Sequence, residues 1–257
     1  LHFATPSYTA GTKGVQRGHV LTEPKSREEF DRMKGALRGA WVLIGGKNNG
    51  WPVDWSPAAD SARAAVIAYN DSVAKINRDI RHENMVNRLD PPKETIPLKE
   101  EPALFYREMC DAGILGVIQS SEVPIRVLYD RKNLDRLTFE SLPTVCDIKL
   151  DEDQYEVIAE MAGERQYFLL EFDIRNHFKP GPVKFHNVIG VIRGKKYPDE
   201  YVMLGGHLDA FDVATGGVDD GSGLSPTMEA ARLIMAAGGR PDRTILACLW
   251  AGEEFGL

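Results

Sequence analysis

Arg243-Thr244-Ile245-Leu246-Ala247-Cys248-Leu249-Trp250-Ala251-Gly252-Glu253-Glu254-Phe255-Gly256 is the stretch on which the fold turns. Its first eight residues form a short apolar run that suits a buried strand, and the run leads directly into two adjacent carboxylates. Glu253 and Glu254 repel one another unless protons or cations compensate them. A bound metal supplies that compensation: one carboxylate can ligate while its neighbour stays free to accept a proton from an activated water.

Two polar clusters lie upstream of this run. Gly205-Gly206-His207-Leu208-Asp209 follows a strand expected over Tyr201 to Leu204. Val218-Asp219-Asp220-Gly221-Ser222-Gly223 precedes a helix expected from about Ser222 to Ala237. With a further strand over Asn187 to Arg193, these elements make an α/β layer. Sites in such layers form just past the carboxyl ends of strands, where His207 and Glu253 both fall. Imidazole together with carboxylates suits zinc, whereas a calcium loop offers oxygen almost alone and a structural zinc site is rich in thiolate. Each cluster taken singly has a plainer reading. His207 is then a strand-end histidine, Asp219 and Asp220 cap a helix, and Asp209 is a cap as well. Asp209 is also placed to orient the imidazole two residues before it.

The ordered set Gly205-Gly206-His207-Leu208-Asp209, Asp219-Asp220-Gly221-Ser222-Gly223 and Trp250-Ala251-Gly252-Glu253-Glu254-Phe255-Gly256-Leu257 resembles the co-catalytic di-zinc aminopeptidase and glutamate-carboxypeptidase family. That resemblance implies an α/β chain containing part of a zinc-exopeptidase fold, a phosphorylase/hydrolase-like mixed sheet with helices. It implies that His207 ligates one zinc, Asp219 bridges two ions and Glu254 ligates the other. Glu253 is then the general base and Asp209 the acid beside the metals, with two zinc ions per complete site and a peptide as substrate. Asp219-Asp220 is similar to a pair that the family often joins by a cis peptide. The same likeness implies hydrolysis of terminal peptide bonds by a metal-activated water, with an aminopeptidase preferred over a carboxypeptidase. It favours a secreted or periplasmic location. Two alternatives stay open: a glutaminyl-cyclase-like enzyme with one zinc, and a non-catalytic binding relative. The family's site also needs an Asp and a His well downstream of the Glu pair. The remaining histidines, His2, His19, His82, His177 and His186, all precede that pair, so the expectation is a portion of a longer peptidase with an incomplete site.

Upstream, helix and strand alternate. Ser26 and Glu29 have capping-box spacing ahead of Phe30, Met33 and Leu37, and Trp41-Val42-Leu43-Ile44 reads as a buried strand. Pro102 opens a second helical stretch through Phe105, Met109 and Cys110 that leads to a strand at Ile114 to Ile118. A helix over Asp151 to Gly163 and a strand over Tyr167 to Phe172 follow. Residues 36–44 and 111–118 resemble a protease-associated domain. The resemblance divides the chain into an α+β protease-associated domain over 1–175, with a helical insertion near 56–100, and the first part of a zinc peptidase domain over 176–257. Lys179-Pro180-Gly181-Pro182 is the most linker-like segment.

Bulk composition narrows the partners. The 257 residues are 43% hydrophobic and 27% charged, the balance of a globular protein. A net charge of -7 argues against nucleic acid, which is bound through clustered cations. No apolar stretch reaches the about 18 residues that a membrane helix needs. Leu1 stands where an initiating Met is expected, so processing, cloning or proteolysis is expected to have removed the start. Cys110, Cys146 and Cys248 are odd in number and lack paired spacing, and Cys248 reads as a small buried hydrophobe rather than a nucleophile. Oligomeric state is not legible.

Overall fold

The computed structural model describes residues 1–7, 9–48, 56–99, 103–124, 138–179, 181–211 and 214–255. The chain divides into two compact units, Leu1–Lys179 and Pro180–Leu257. The break falls within Lys179-Pro180-Gly181-Pro182, the linker-like segment, four residues past the end given to the protease-associated domain. Pro102, Gly256 and Leu257, which figure in the sequence reading, lie outside the described residues.

In the first unit the run Trp41–Ile44 lies within β3 (Ala40–Lys47), whose first five residues are buried. Successive side chains of a strand face opposite sides. Val42 and Ile44 therefore join one apolar cluster, and Trp41 and Leu43 join the other. Burial on both faces explains why the run is continuous rather than alternating. β3 pairs in parallel with β2 (Gln16–Thr22) and β4 (Gly116–Ser121), and β4 pairs in parallel with β5 (Cys146–Asp151). The short β1 (Phe3–Ala4) and β6 (Leu169–Phe172) close the edges antiparallel, giving the order β1-β5-β4-β3-β2-β6.

Among the described residues this unit has the α-helices α1 (Arg27–Leu37), α2 (Asp60–Asn87), α3 (Tyr106–Ala112) and α4 (Glu152–Gly163). α1 and α3 supply Phe30, Leu37 and Met109 to one face of the sheet, and α4 supplies Ile158 to the other. Each such buried side chain contributes about 1.5–3 kcal/mol. The α1 cap departs slightly from its expected form. Ser26 Oγ accepts the Glu29 N–H at 3.2 Å, but the Glu29 carboxylate accepts from Lys25 N rather than from Ser26 N.

Sequence reading left β2 and β5 unassigned. β5 alternates Cys146, Ile148 and Leu150 with Asp147 and Lys149, a pattern that suggests one wet face. Asp147 and Lys149 are in fact buried, 2.9 Å apart, with Lys149 Nζ also donating to Gln119 Oε1 at 3.2 Å. Pairing and hydrogen bonds let charge occupy a place that apolar side chains usually fill.

Glu23, just past β2, is a second buried polar group, 7% exposed, with Oε1 accepting the Gly45 N–H at 2.9 Å. Burial pushes its carboxyl above the ordinary value of 4.5, and the Gly45 N–H, the Ser56 hydroxyl and the Lys25 charge only partly oppose this. A carboxyl raised in the folded state contributes stability fully below its unfolded value. That contribution is lost as pH rises through the folded value. Glu23→Gln should abolish this loss, so its melting temperature should gain on the parent's between about pH 4 and pH 8. A difference that is constant across that range would refute the assignment.

The insertion expected near 56–100 is helical as far as Asn87. α2 buries Val73 and Asn77, and an extended segment returns along it. Three asparagines one heptad apart hold that segment by its main chain. Asn70 accepts from Lys99 N and donates to Lys99 O, Asn77 does the same with Ile96, and Asn84 with Lys93, at 2.7–3.1 Å. Each amide thus matches one N–H and one C=O of the extended chain. Asn77→Ala should remove two bonds worth about 1–2 kcal/mol together and speed exchange of the Ile96 amide roughly tenfold. Unchanged protection at Ile96 would show that the ladder does not hold the segment.

The second unit contains β7 (Val188–Ile192), β8 (Tyr197–His207), α5 (Gly221–Ala236) and β9 (Arg243–Trp250). Its mixed sheet has the order β7-β9-β8, with β9 antiparallel to β7 and parallel to β8. β8 begins earlier than expected because Pro198, Asp199 and Glu200 interrupt the apolar pattern without ending the strand, at the cost of a register shift between Tyr197 and Tyr201. Thr244 spans that irregularity, accepting from Gly194 N at 3.0 Å and donating to Pro198 O at 2.7 Å. Among the described residues, no helix is long and apolar enough to cross a membrane.

Candidate metal centre

His207 is the last residue of β8 and stands in register with Trp250, the last of β9. Parallel pairing puts both strand ends on one side of the sheet. There the chain leaves β9 through Ala251 and Gly252 into a single 3-10 turn, Glu253–Phe255. Gly252 takes φ 92, a left-handed conformation that side chains disfavour, and so lets the turn follow the strand at once. Asp219 and Asp220, joined by a cis peptide bond, immediately precede α5.

The structure brings every sequence-predicted site residue to this place. Ligand atoms of His207, Glu253 and Glu254 all lie within 4.8 Å of one another. His207 Nε2 is 3.0 Å from Asp219 Oδ1 and 3.7 Å from Glu253 Oε2. The other ring nitrogen, Nδ1, is 2.8 Å from the Asp209 carbonyl oxygen, which can only accept, so Nδ1 carries the proton. Nε2 is thereby the nitrogen left to face the carboxylates.

Asp209 does more than the sequence indicated. Its Oδ1 accepts the Glu253 N–H at 3.2 Å and its Oδ2 accepts the Glu254 N–H at 3.1 Å, so it braces the turn that carries both glutamates. Its Oδ1 also lies 3.5 Å from His207 Nδ1. Asp220 was read only as the neighbour of Asp219 and as a cap. It accepts the Gly223 N–H at 2.9 Å as the cap of α5, and its other oxygen accepts the His207 N–H at 3.0 Å. Only the folded geometry could show the latter, because the two residues are thirteen apart and on different elements.

The electrostatics divide the acids. Burial pulls Asp209 upward, yet the N–H groups of Glu254, of Asp209 itself, of Glu253 and of Gly252 outweigh it and hold this carboxyl below its ordinary range. Glu254 moves the other way: burial raises it, the Asp219 charge raises it further, His207 partly offsets this, and Glu253 and Asp209 add to the rise. For His207, burial opposes protonation. The bond to Asp219, the Asp209 carbonyl and the charges of Glu253 and Asp220 prevail and raise it.

These features fit a bound cation. Both ring nitrogens of His207 face acceptors, an arrangement that needs a positive charge, whether a second proton or a metal ion at Nε2. Glu254 Oε1 is buried and has no hydrogen-bond partner among the described residues, a costly state for a carboxylate oxygen unless a cation takes it up. One imidazole and several carboxylates form a donor set suited to zinc.

Comparison with known proteins gives these residues a family likeness. Residues 187–257, which contain all six side chains just described, match the sequence profile of peptidase family M28. Carboxypeptidase Q of Xenopus laevis is 35% identical over 183 residues, covering 66% of this chain and 38% of the relative. Human carboxypeptidase Q is 35% identical over 115 residues, covering 45% and 24%. The probable glutamate carboxypeptidase LAMP1 of Arabidopsis thaliana is 47% identical over 77 residues, covering 29% and 11%. The chain therefore spans well under half the length of these relatives. Among solved structures, the peptidase M28 precursor of Shewanella amazonensis is similar with a TM-score of 0.47 at 18% identity, covering 100% of this chain and 49% of that one. The histidine, aspartates and paired glutamates thus lie on the segment that is similar to peptidase family M28, and the wider chain is similar to carboxypeptidase Q.

Proposed function

We propose that the full-length protein is a zinc-dependent exopeptidase that hydrolyses terminal peptide bonds. The observation that carries this reading is the convergence of His207 Nε2, Glu253 and Glu254 on one place, with a buried Glu254 oxygen that lacks a partner there. His207, Asp219 and Glu254 are the residues that would hold metal, with Asp219 shared between two ions. Zinc, when bound, supplies a Lewis acid that polarises the scissile carbonyl and makes an attacking water more acidic.

Glu253 is the general base in this reading. Its side chain is more exposed than that of His207, 54% against 10%, so it can reach a water and a substrate. It takes the water's proton and delivers it to the leaving amine. Asp209 is a positioning residue in this reading. By accepting the N–H groups of both glutamates it fixes the turn that aims them.

Unit one carries the second part of the proposal: residues 1–175 form a protease-associated domain. The Xenopus alignment of 183 residues is longer than the second unit, so the likeness runs into the first. A secreted or periplasmic location goes with this reading and rests on family likeness. The family likeness by itself goes with either terminus, with an aminopeptidase preferred. The relatives from Xenopus, human and Arabidopsis are named as carboxypeptidases, and that favours the second reading, release of residues from the carboxyl end.

Zinc per polypeptide and peptide hydrolysis, measured together on the full-length protein, test the core of the proposal. Two zinc ions are expected. Glu253→Gln should keep them while turnover falls by about 10²–10⁴, and Asp219→Ala should lose both metal and turnover. Turnover retained in Glu253→Gln would remove that residue as the base. A single zinc with cyclisation of amino-terminal glutamine would move the protein to the cyclase reading, and peptide binding without hydrolysis to the binding reading.

Matched peptides blocked at one end settle which terminus is used. A carboxypeptidase should cleave amino-acetylated peptides and spare carboxyl-amidated ones. The reverse pattern would restore the aminopeptidase reading.

A further inference from the structure

We propose that Asp220 is a positioning residue, the joint that fixes the direction of the His207 imidazole by tying the end of β8 to the start of α5. Its catalytic meaning rests on the exopeptidase reading, but its geometry stands without it. Leu208 N donates to Trp250 O of β9, so the preceding N–H, that of His207, points away from β9. Among the described residues β8 lies at the edge of its sheet, and no strand there receives that N–H. Asp220 Oδ2 receives it instead, at 3.0 Å. The carboxylate thus completes the edge at the one residue that bears the imidazole.

Asp220 cannot be replaced by a generic cap. Its Oδ1 is already committed to the Gly223 N–H, and the main-chain oxygen of Asp220 accepts from Leu224 N at 2.9 Å. Both carboxylate oxygens are acceptors facing donors, a demand met by Asp and not by Asn, whose amide nitrogen would confront one N–H. The fit is also tight. A Cβ at Gly206 would lie 2.7 Å from Asp220 Oδ2 and 2.8 Å from Leu224 N, so only glycine lets the helix start come this close to the strand. Gly206 and Asp220 are therefore parts of one device. It holds the histidine backbone from one side while Asp209 holds Nδ1 from the other.

Substitution at 220 separates the two bonds. Serine keeps a short acceptor for Gly223 N and cannot reach His207 N. In metal-free Asp220→Ser, exchange of the His207 amide should quicken at least tenfold while the amides of α5 keep their protection. In the zinc-loaded full-length protein, the same change should weaken zinc affinity about ten- to hundredfold by chelator competition and lower kcat with KM little changed. Cobalt-substituted protein should show a shifted visible absorption. Asp220→Asn, which retains the side-chain volume, should show the same directions with smaller amplitude. Parental exchange at His207 in Asp220→Ser would overturn the joint, and faster exchange with parental zinc affinity would overturn its bearing on the site. Absence of zinc from the parent protein would instead overturn the exopeptidase reading, and His207 exchange would still decide the joint.

Discussion

The parallel pairing of β8 with β9 is the constraint on which the second unit depends. A parallel pair brings two carboxyl ends to the same edge of the sheet, and here those ends carry His207 and the Glu253–Glu254 turn. An antiparallel pair would have put them a strand length apart. The connection between parallel strands must cross over, and the crossover helix α5 returns its amino terminus to the same edge with Asp219 and Asp220 at its start. Three stretches distant in sequence thus meet at one edge of the sheet. The glycines around them do not perform the chemistry. They remove side chains where backbone must pass close to backbone.

One imidazole among several carboxylates cannot be explained by hydrophobic packing. Asp209 and Glu254 show how the same chemical group is tuned in opposite senses within one site. The first is surrounded by N–H donors and stays ionised readily. The second is pressed by burial and by like charges, with an oxygen that finds no donor. A cation relieves the second without disturbing the first. The acids are therefore divided between those that shape the turn and those that await a counter-charge.

The residues of the site were legible in the sequence because chemistry-bearing clusters followed apolar runs, and their order matched a family motif. The strand over Arg243–Trp250 was read with the same bounds that the structure shows. What was not legible is equally specific. β5 hides behind Asp147 and Lys149, which look solvated and are buried as a pair. β2 starts with Gln16, Arg17 and Gly18, a poor advertisement for a strand that pairs on both sides, parallel with β3 and antiparallel with β6. The bond from Asp220 to the His207 backbone depends on how a helix start docks against a strand edge, and no local pattern records it. Local periodicity reports on a residue's neighbours along the chain, whereas these features depend on what covers it.

The asparagine ladder on α2 sets a rule of length. Seven residues of helix advance about 10.5 Å, and three residues of extended chain advance about 10 Å. Asn70, Asn77 and Asn84 can meet Lys99, Ile96 and Lys93 only because these two advances nearly coincide. Insertion of one residue on either side turns the amides away from their partners. The arm can therefore grow or shrink only in coordinated steps, seven residues of helix for every three of return, like two gears of fixed ratio.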